Sequence, residues 1–305
     1  MERVLVTGAA GQVGCDLLEV LAGTTPSGGR STNAIGGAEV RSGEFDVTGL
    51  DRRGLDVTNE AAVAEAFAMY RPDVVVHLAA YTAVDRAESD PEGADATNHL
   101  ATRFVAAGAE AVGAHLVYVS TDYVFAGDLG RPLSEDDPTG PRSVYGLTKL
   151  AGEAECPPDA SVVRTAWVAG RHGKGVIHLA ARAAREGLSL RFVDDQIGSF
   201  TAAADLAAGL SFFVRERPAG IFHVAGSGHA SWHEVISAAV VSAGGSKDQV
   251  SAIPTSALDP QPLAERPAFS PLISKRLSEV GGQALPEWQD GLQRLVDAIV
   301  KGESP

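Results

Sequence analysis

The run Val144-Tyr145-Gly146-Leu147-Thr148-Lys149 sets a phenol and an ammonium four residues apart. On a helix that spacing puts both groups on one face. A free phenol titrates near about 10. A fixed cation beside it favours the phenolate and brings proton exchange with a reacting oxygen toward neutral pH. Upstream, the strand-like run His115-Leu116-Val117-Tyr118-Val119 ends in Ser120-Thr121-Asp122, whose hydroxyls can hold a substrate carbonyl. Tyr145, Lys149 and Thr121 are therefore the candidate catalytic set, and proton transfer to or from a carbonyl or alcohol oxygen is the chemistry they suit.

Such a set needs a scaffold that brings strand ends together, and the chain supplies one. The β-rich start Arg3–Val6 runs into Thr7-Gly8-Ala9-Ala10-Gly11-Gln12-Val13-Gly14 and then a helical pattern. Strand, glycine turn and helix form the context of a dinucleotide site, here with G-x-x-G-x-x-G spacing. Gly8 allows the tight turn, Gly11 lets the backbone reach a pyrophosphate, and Gly14 lets the helix close on the strand. A second strand near 44–50 should end at Asp51-Arg52-Arg53. There a carboxylate would accept from the 2'-hydroxyl of NADH, whereas arginines would favour the 2'-phosphate of NADPH. Both signals are present, so NADPH or NADH is expected, with a modest bias to NADPH.

Asp56-Val57-Thr58 leads into a helix over 60–70, with Thr58 or Asn59 as its cap. Pro72–Ala80 is apolar without alternation, as in a strand buried on both faces of a parallel sheet. Its small Ala79 and Ala80 leave room for a cofactor, and residues 81–85 follow as a loop. A long helix over about 91–112 carries Asn98, either a solvated helical residue or a water-holding link behind Lys149. A fifth strand covers Ser161–Thr165. Beyond Ala166 the strand-helix rhythm changes, with helices near 176–187, 202–216, from 231 and over 286–300, and a strand at 221–224. The pattern predicts an α/β protein: a Rossmann-type doubly wound parallel sheet with a smaller interleaved C-terminal substrate lobe. Residues 1–166 with about 201–222 would form the NAD(P)-binding domain, and about 167–200 with 223–305 the substrate-binding lobe. The Gly-, Ser- and Thr-rich segment 23–43 reads as a mobile surface loop without assigned function.

The chain has 305 residues, 45% hydrophobic and 21% charged, with a formal charge of −14. That charge argues against a nucleic-acid partner, which requires clustered Lys and Arg. Two cysteines are too few for a disulfide framework or metal cluster, and the eight histidines have no ligand spacing, so no metal is expected. The start reads as a strand rather than a signal peptide, and no apolar run approaches a membrane span of ~20 residues. A cytoplasmic protein without membrane contact is the expectation.

Five stretches carry a more specific likeness: 79–88, 120–125, 144–153, 164–168 and 193–199. With the glycine turn they resemble the extended short-chain dehydrogenase/reductase family and, within it, the dTDP-4-dehydrorhamnose reductase family. The resemblance implies hydride transfer from NADPH or NADH to the C4 ketone of a dTDP-4-keto-6-deoxyhexose. It makes Tyr145 the proton donor and Lys149 its partner, and puts Thr121, Asp122 and Trp167 on the sugar. It further implies that Gly11, Gln12 and Val13 bind the pyrophosphate, that Asp51 meets the ribose, that Asp56 and Val57 lie near the adenine, and that Ala80, Tyr81 and Thr82 lie beside the nicotinamide. A dTDP-sugar substrate is the implied partner, and a homodimer is compatible with it. Cations for the substrate diphosphate would be Arg266, Lys174 or Arg171. Phe200 and Ala169 depart from the family's usual residues. Other readings are a ketoreductase for another dTDP-deoxysugar, a sugar-nucleotide epimerase, or a regulatory subunit on the same fold. A dehydratase would carry Glu after Thr121-Asp122, where this chain has Tyr123.

Overall fold

The computed structural model describes residues 1–27, 29 and 40–302. Strands β1 (Glu2–Thr7), β2 (Phe45–Leu50), β3 (Val74–His77), β4 (His115–Thr121) and β5 (Ser161–Thr165) alternate with helices through the first half. These helices are α1 (Gln12–Leu21), α2 (Glu60–Tyr70), α3 (Val84–Ser89), α4 (Pro91–Asp95), α5 (Ala101–Val112) and α6 (Val144–Ala154). The second half holds short strands β6 (Val168–Ala169), β7 (Leu190–Val193), β8 (Ile197–Gly198) and β9 (Thr201–Ala202), followed by β10 (Gly220–His223), β11 (Ala230–Ser231) and β12 (Val250–Ile253). Its helices are α7 (Val176–Glu186), α8 (Ala203–Glu216), α9 (Trp232–Ser242) and α10 (Trp288–Gly302).

Six strands form one parallel sheet in the order β2-β1-β3-β4-β5-β10. Both faces are apolar, as strand periodicity requires when helices cover both sides. Val4, Val6, Val74, Val76 and Val117 pack against α1 and α8, while Leu5, Val75 and Leu116 pack against Val63 and Phe67 of α2 and Val105 of α5. The strand order reverses between β1 and β3, opening a crevice at their carboxyl ends, where open α/β sheets bind ligands. A second apolar cluster joins Ile177, Phe200, Val235, Val240, Leu292 and Val296. There β12 pairs in parallel with β7, a four-residue strand too short to show a sequence period.

The helix expected over 91–112 is interrupted. Residues Ala96–Leu100 form a π turn between α4 and α5. Within this turn the Asn98 carbonyl accepts from the Thr102 hydroxyl at 2.8 Å and from the Tyr118 phenol at 3.4 Å. His99 ties the same turn to the end of α6, with Nδ1 2.9 Å from Asp95 and Nε2 3.0 Å from Glu155. Burial alone would depress the His99 pKa, but the two carboxylate bonds outweigh it and the net shift is upward from 6.5. A folded pKa above the unfolded one contributes stability that is fully present below pH 6.5 and lost as pH rises through the folded value. The stability gap between the parent and His99→Gln should therefore shrink as pH rises past neutrality in urea melts. A gap independent of pH would contradict this.

Most of the expected 23–43 loop, residues 28 and 30–39, lies outside the described residues. Its flanks are not free surface: Pro26 and Val40 are buried, Val40 within the α1–α8 core, and Glu44 pairs with Arg215 of α8 at 2.7 Å. These anchors correct the reading of 23–43 as loop throughout, because apolar side chains at both ends have core surface to cover. A deletion reaching Pro26 or Val40 would remove that core contact.

Candidate active site

Helix α6 starts at Ser143, whose hydroxyl accepts from the Gly146 N–H at 3.1 Å, and the Val144 N–H donates to Glu88 at 2.8 Å. The helix lies hard against the π turn: a Cβ on Gly152 would stand 2.3 Å from the Asn98 carbonyl oxygen. This fixes where Tyr145 and Lys149 point. Lys149 is buried, its Nζ donates to the Val119 carbonyl at 2.7 Å and lies 4.0 Å above the Tyr118 ring. Burial pushes its pKa down to about 7, while Glu153 pulls the other way. Burial also pushes the Tyr145 phenol up to about 12, against a hydrogen bond with Thr121. The lysine-lowered phenol expected from spacing is thus not what the site holds: desolvation dominates, and Tyr145 is a protonated donor.

Thr121 ends β4. Its Oγ1 accepts from the Tyr123 N–H at 3.2 Å and donates to Asp122 Oδ1 at 3.2 Å. Asp122 is buried, and burial raises its pKa to about 6 against the bonds from Ser270 and Thr121. Tyr123 meets Tyr145 edge to face, with ring centroids 5.4 Å apart.

One cleft of about 860 Å³ collects the catalytic, cofactor-binding and sugar-contacting residues singled out from the sequence, apart from Arg53 and Asn98; the suggested phosphate cations Arg266, Lys174 and Arg171 do not line it. Arg53 sits on the exposed side of the turn, where its N–H and that of Gly54 bond Asp51 Oδ1 at 3.0 Å, so Arg52 is the arginine that faces the cleft. The Asn98 side chain holds the 81 loop instead: it accepts from the Tyr81 N–H at 2.8 Å and donates to the Tyr81 carbonyl at 3.2 Å and to Thr148 at 3.1 Å. It has no direct bond to Lys149. Asp56 caps the turn before α2, accepting from the Thr58 hydroxyl at 2.7 Å, which holds its carboxyl below the usual range.

The glycine turn fits a dinucleotide. Gly8 has φ +70°, and a Cβ there would lie 2.6 Å from Ala79 N, so the loops after β1 and β3 touch. A Cβ on Gly14 would lie 2.5 Å from the Gly8 carbonyl oxygen. Backbone is therefore exposed at the start of α1, where a pyrophosphate would meet unpaired N–H groups. The Gln12 side chain reaches the far wall, accepting from the Gly170 N–H at 2.5 Å.

That wall contains Trp167, at φ +45°, stacked on Trp232 with centroids 4.1 Å apart and planes 8° off parallel. Sequence reasoning missed Trp232 and His172 as lining residues. The available signal was Ser231-x-x-Glu234, a capping box that the structure contains and that puts Trp232 in the first turn of α9. Two of the three suggested phosphate cations are already engaged: Arg266 pairs with Asp85 at 2.6 Å, and Arg171 pairs with Asp16 at 3.3 Å and with Glu19. Only Lys174 of the three is exposed without an ion pair among the described residues. Phe200 and Ala169 are buried in the second apolar cluster rather than on the cleft. Among the described residues no group of three or more His, Cys, Asp or Glu could hold a metal ion, and no helix is long and apolar enough to cross a membrane.

A dinucleotide turn at the sheet's switch point, flanked by a tyrosine-lysine helix and a threonine at the next strand end, is the plan of a short-chain dehydrogenase/reductase. Residues 1–301 match the RmlD substrate binding domain family. A dTDP-4-dehydrorhamnose reductase of Streptomyces griseus is 39% identical over 97% of this chain and 94% of its own length. A probable dTDP-4,6-dihydroxy-2-methyloxan-3-one 4-ketoreductase of Streptomyces antibioticus is 36% identical over 99% and 97%. The solved dTDP-4-dehydrorhamnose reductase of Bacillus anthracis str. Ames, in complex with NADP, superposes with TM-score 0.85 at 32% identity, covering 96% of this chain and 98% of that one. The chain belongs to the RmlD substrate binding domain family and is an NAD(P)-dependent oxidoreductase.

Proposed function

We propose that the protein reduces the C4 ketone of a dTDP-4-keto-6-deoxyhexose, converting dTDP-4-dehydro-L-rhamnose to dTDP-L-rhamnose with NADPH or NADH. The observation that carries this is the convergence of Thr121, Tyr145 and Lys149 on the cleft that also contains the glycine turn. Full-length likeness to reductases of that name supports the choice of sugar.

When bound in this cleft, NADPH or NADH would supply the hydride for C4. Tyr145 gives its phenolic proton to the oxygen as the new C–H bond forms, and Thr121 shares that oxygen through its hydroxyl. A phenol held near 12 arrives protonated, as a reduction requires. The Lys149 ammonium steadies the phenolate left behind until solvent returns the proton. Gly8, Gly11 and Gly14 expose backbone to the pyrophosphate beside Gln12 and Val13. With the cofactor bound, Asp51 and Arg52 would hold the adenosine ribose, Asp56 and Val57 the adenine, and Ala79, Ala80, Tyr81 and Thr82 the nicotinamide end; all line the cleft. Asn98 acts on that end indirectly, through Tyr81. Asp122 and Trp167 flank the sugar.

The division into a cofactor domain, 1–166 with about 201–222, and a substrate lobe, 167–200 with 223–305, belongs to this proposal. The separate apolar clusters and the place of β10 in the main sheet support it. A cytoplasmic location, consistent with two unpaired cysteines, and a homodimer, for which the exposed Leu147 on α6 offers apolar surface, are further parts of the proposal.

Three experiments address the proposal here. Initial rates with dTDP-4-dehydro-L-rhamnose should exceed those with other dTDP-4-keto sugars; the Streptomyces antibioticus relative makes a different dTDP-deoxysugar the second reading, and the reverse ranking would select it. Arg52→Ser should shift cofactor preference toward NADH, while Arg53→Ser leaves it unchanged; equal effects would place the phosphate elsewhere. The parent's kcat/KM should fall above pH about 7 as free-enzyme Lys149 loses its proton. A profile flat through that region would remove the lysine charge from the account.

A further inference from the structure

Ser270 lies far from the catalytic set in sequence and is buried, 1% exposed, beneath it. Its hydroxyl donates to Asp122 Oδ2 at 2.6 Å, a short bond. The other carboxylate oxygen, Oδ1, takes the Thr121 hydroxyl at a looser 3.2 Å. Thr121 has a single proton, and the same proton is the one the ketone oxygen needs from it. Asp122 and the substrate therefore compete for it. The main chain around Ser270 is secured without the hydroxyl: Ile197 donates to Ala268 at 2.9 Å, Ser270 N–H to Ile197 at 2.9 Å, and Leu133 to Pro271 at 2.7 Å.

We propose that Ser270 is a positioning residue for the reduction: by engaging the Asp122 carboxyl it leaves the Thr121 proton free to turn to the ketone oxygen. The inference rests on the reductase reading and adds to it a residue from the C-terminal half that acts on the chemistry through two others. The physical cause is local. Asp122 is 1% exposed, so water cannot replace a lost donor. Without the Ser270 hydroxyl, Thr121 is the side-chain donor left to that carboxylate, and the bond at Oδ1 tightens. The threonine then presents lone pairs to the ketone and withdraws its support from the Tyr145 phenol. Binding of the sugar and cofactor should change little, because Ser270 itself does not line the cleft and its backbone is held independently of the hydroxyl.

The test is a cycle of Ser270→Ala, Asp122→Asn and the double variant, with kcat, KM for the dTDP-4-keto sugar, NADPH affinity and Tm measured on each. Ser270→Ala should lower kcat roughly tenfold, less than the ~10² of losing a donor outright, with KM and NADPH affinity little changed. Adding Asp122→Asn removes the charge that captures the proton, so Ser270→Ala should cost much less kcat on the Asp122→Asn background than on the parent; the single Asp122→Asn variant gives the separate effect of changing a residue that flanks the sugar. Ser270→Cys, a weaker donor of similar size, should fall between Ser270→Ala and the parent. A Ser270→Ala kcat within about twofold of the parent, or losses that multiply in the double variant, would overturn the proposal. If Ser270→Ala does not fold, the ranking of Ser270→Cys against the parent decides it, equal kcat counting against. A parent that oxidises no NADPH with the sugar overturns the functional reading and this inference with it; an active parent with an unaffected Ser270→Ala overturns the inference alone.

Discussion

Tyr145→Phe is expected to lower kcat by ~10² or more while NADPH still binds. The ring keeps its edge-to-face packing on Tyr123, and only the hydroxyl is lost. That hydroxyl is the group placed to protonate the new alkoxide, and burial holds its pKa at about 12, so it is a full proton donor across the working pH range. Thr121→Val should cost less, since the phenol remains. Measuring kcat beside NADPH affinity by fluorescence separates chemistry from binding. Near-normal turnover in Tyr145→Phe would remove the tyrosine from the mechanism.

Glu153→Ala is expected to produce the largest loss of stability. The Glu153 carboxylate accepts two bonds from Arg164, at 2.9 and 2.6 Å, and one from Ser120 at 2.5 Å. The pair is almost fully buried, with side chains 3% and 6% exposed. Removing one partner leaves the Arg164 charge buried and unpaired, a cost of about 3–5 kcal/mol. For a chain of this size that corresponds to a fall in Tm of roughly 5–8 °C. Glu153 also raises the Lys149 pKa against burial, so its loss should move the alkaline fall of kcat/KM to lower pH. An unchanged Tm in a thermal melt would mean that Arg164 finds another partner.

The sequence made the sheet readable because β3 carries three successive valines and β5 a valine pair, both strands are buried at every position, and each glycine of the turn has a backbone reason to be there. The Tyr145–Lys149 spacing located the helix face. Its electrostatics were not readable: whether a cation lowers a phenol depends on how dry the site is, and the dryness comes from β4 and from Tyr118 beneath the lysine. The partners of Arg266 and Arg171 were hidden for a related reason, since Asp85 and Asp16 stand more than 150 residues away along the chain. The π turn at Asn98 was invisible because its residues suit an ordinary helix equally well. Trp232 and Ser270 reach the site from the C-terminal half, where short strands and loops leave no period to follow.

The central claim is that this cleft delivers a hydride to C4 while Tyr145 protonates the oxygen. It is tested most directly by incubating the protein with dTDP-4-dehydro-L-rhamnose and NADPH deuterated at the transferring position, then locating the label by NMR. Deuterium at C4 of dTDP-L-rhamnose, with NADPH consumed in equal amount and label transfer slowed by ~10² or more in Tyr145→Phe, is the expected result. Unlabelled product, label at another carbon, or turnover without NADPH consumption would contradict the account.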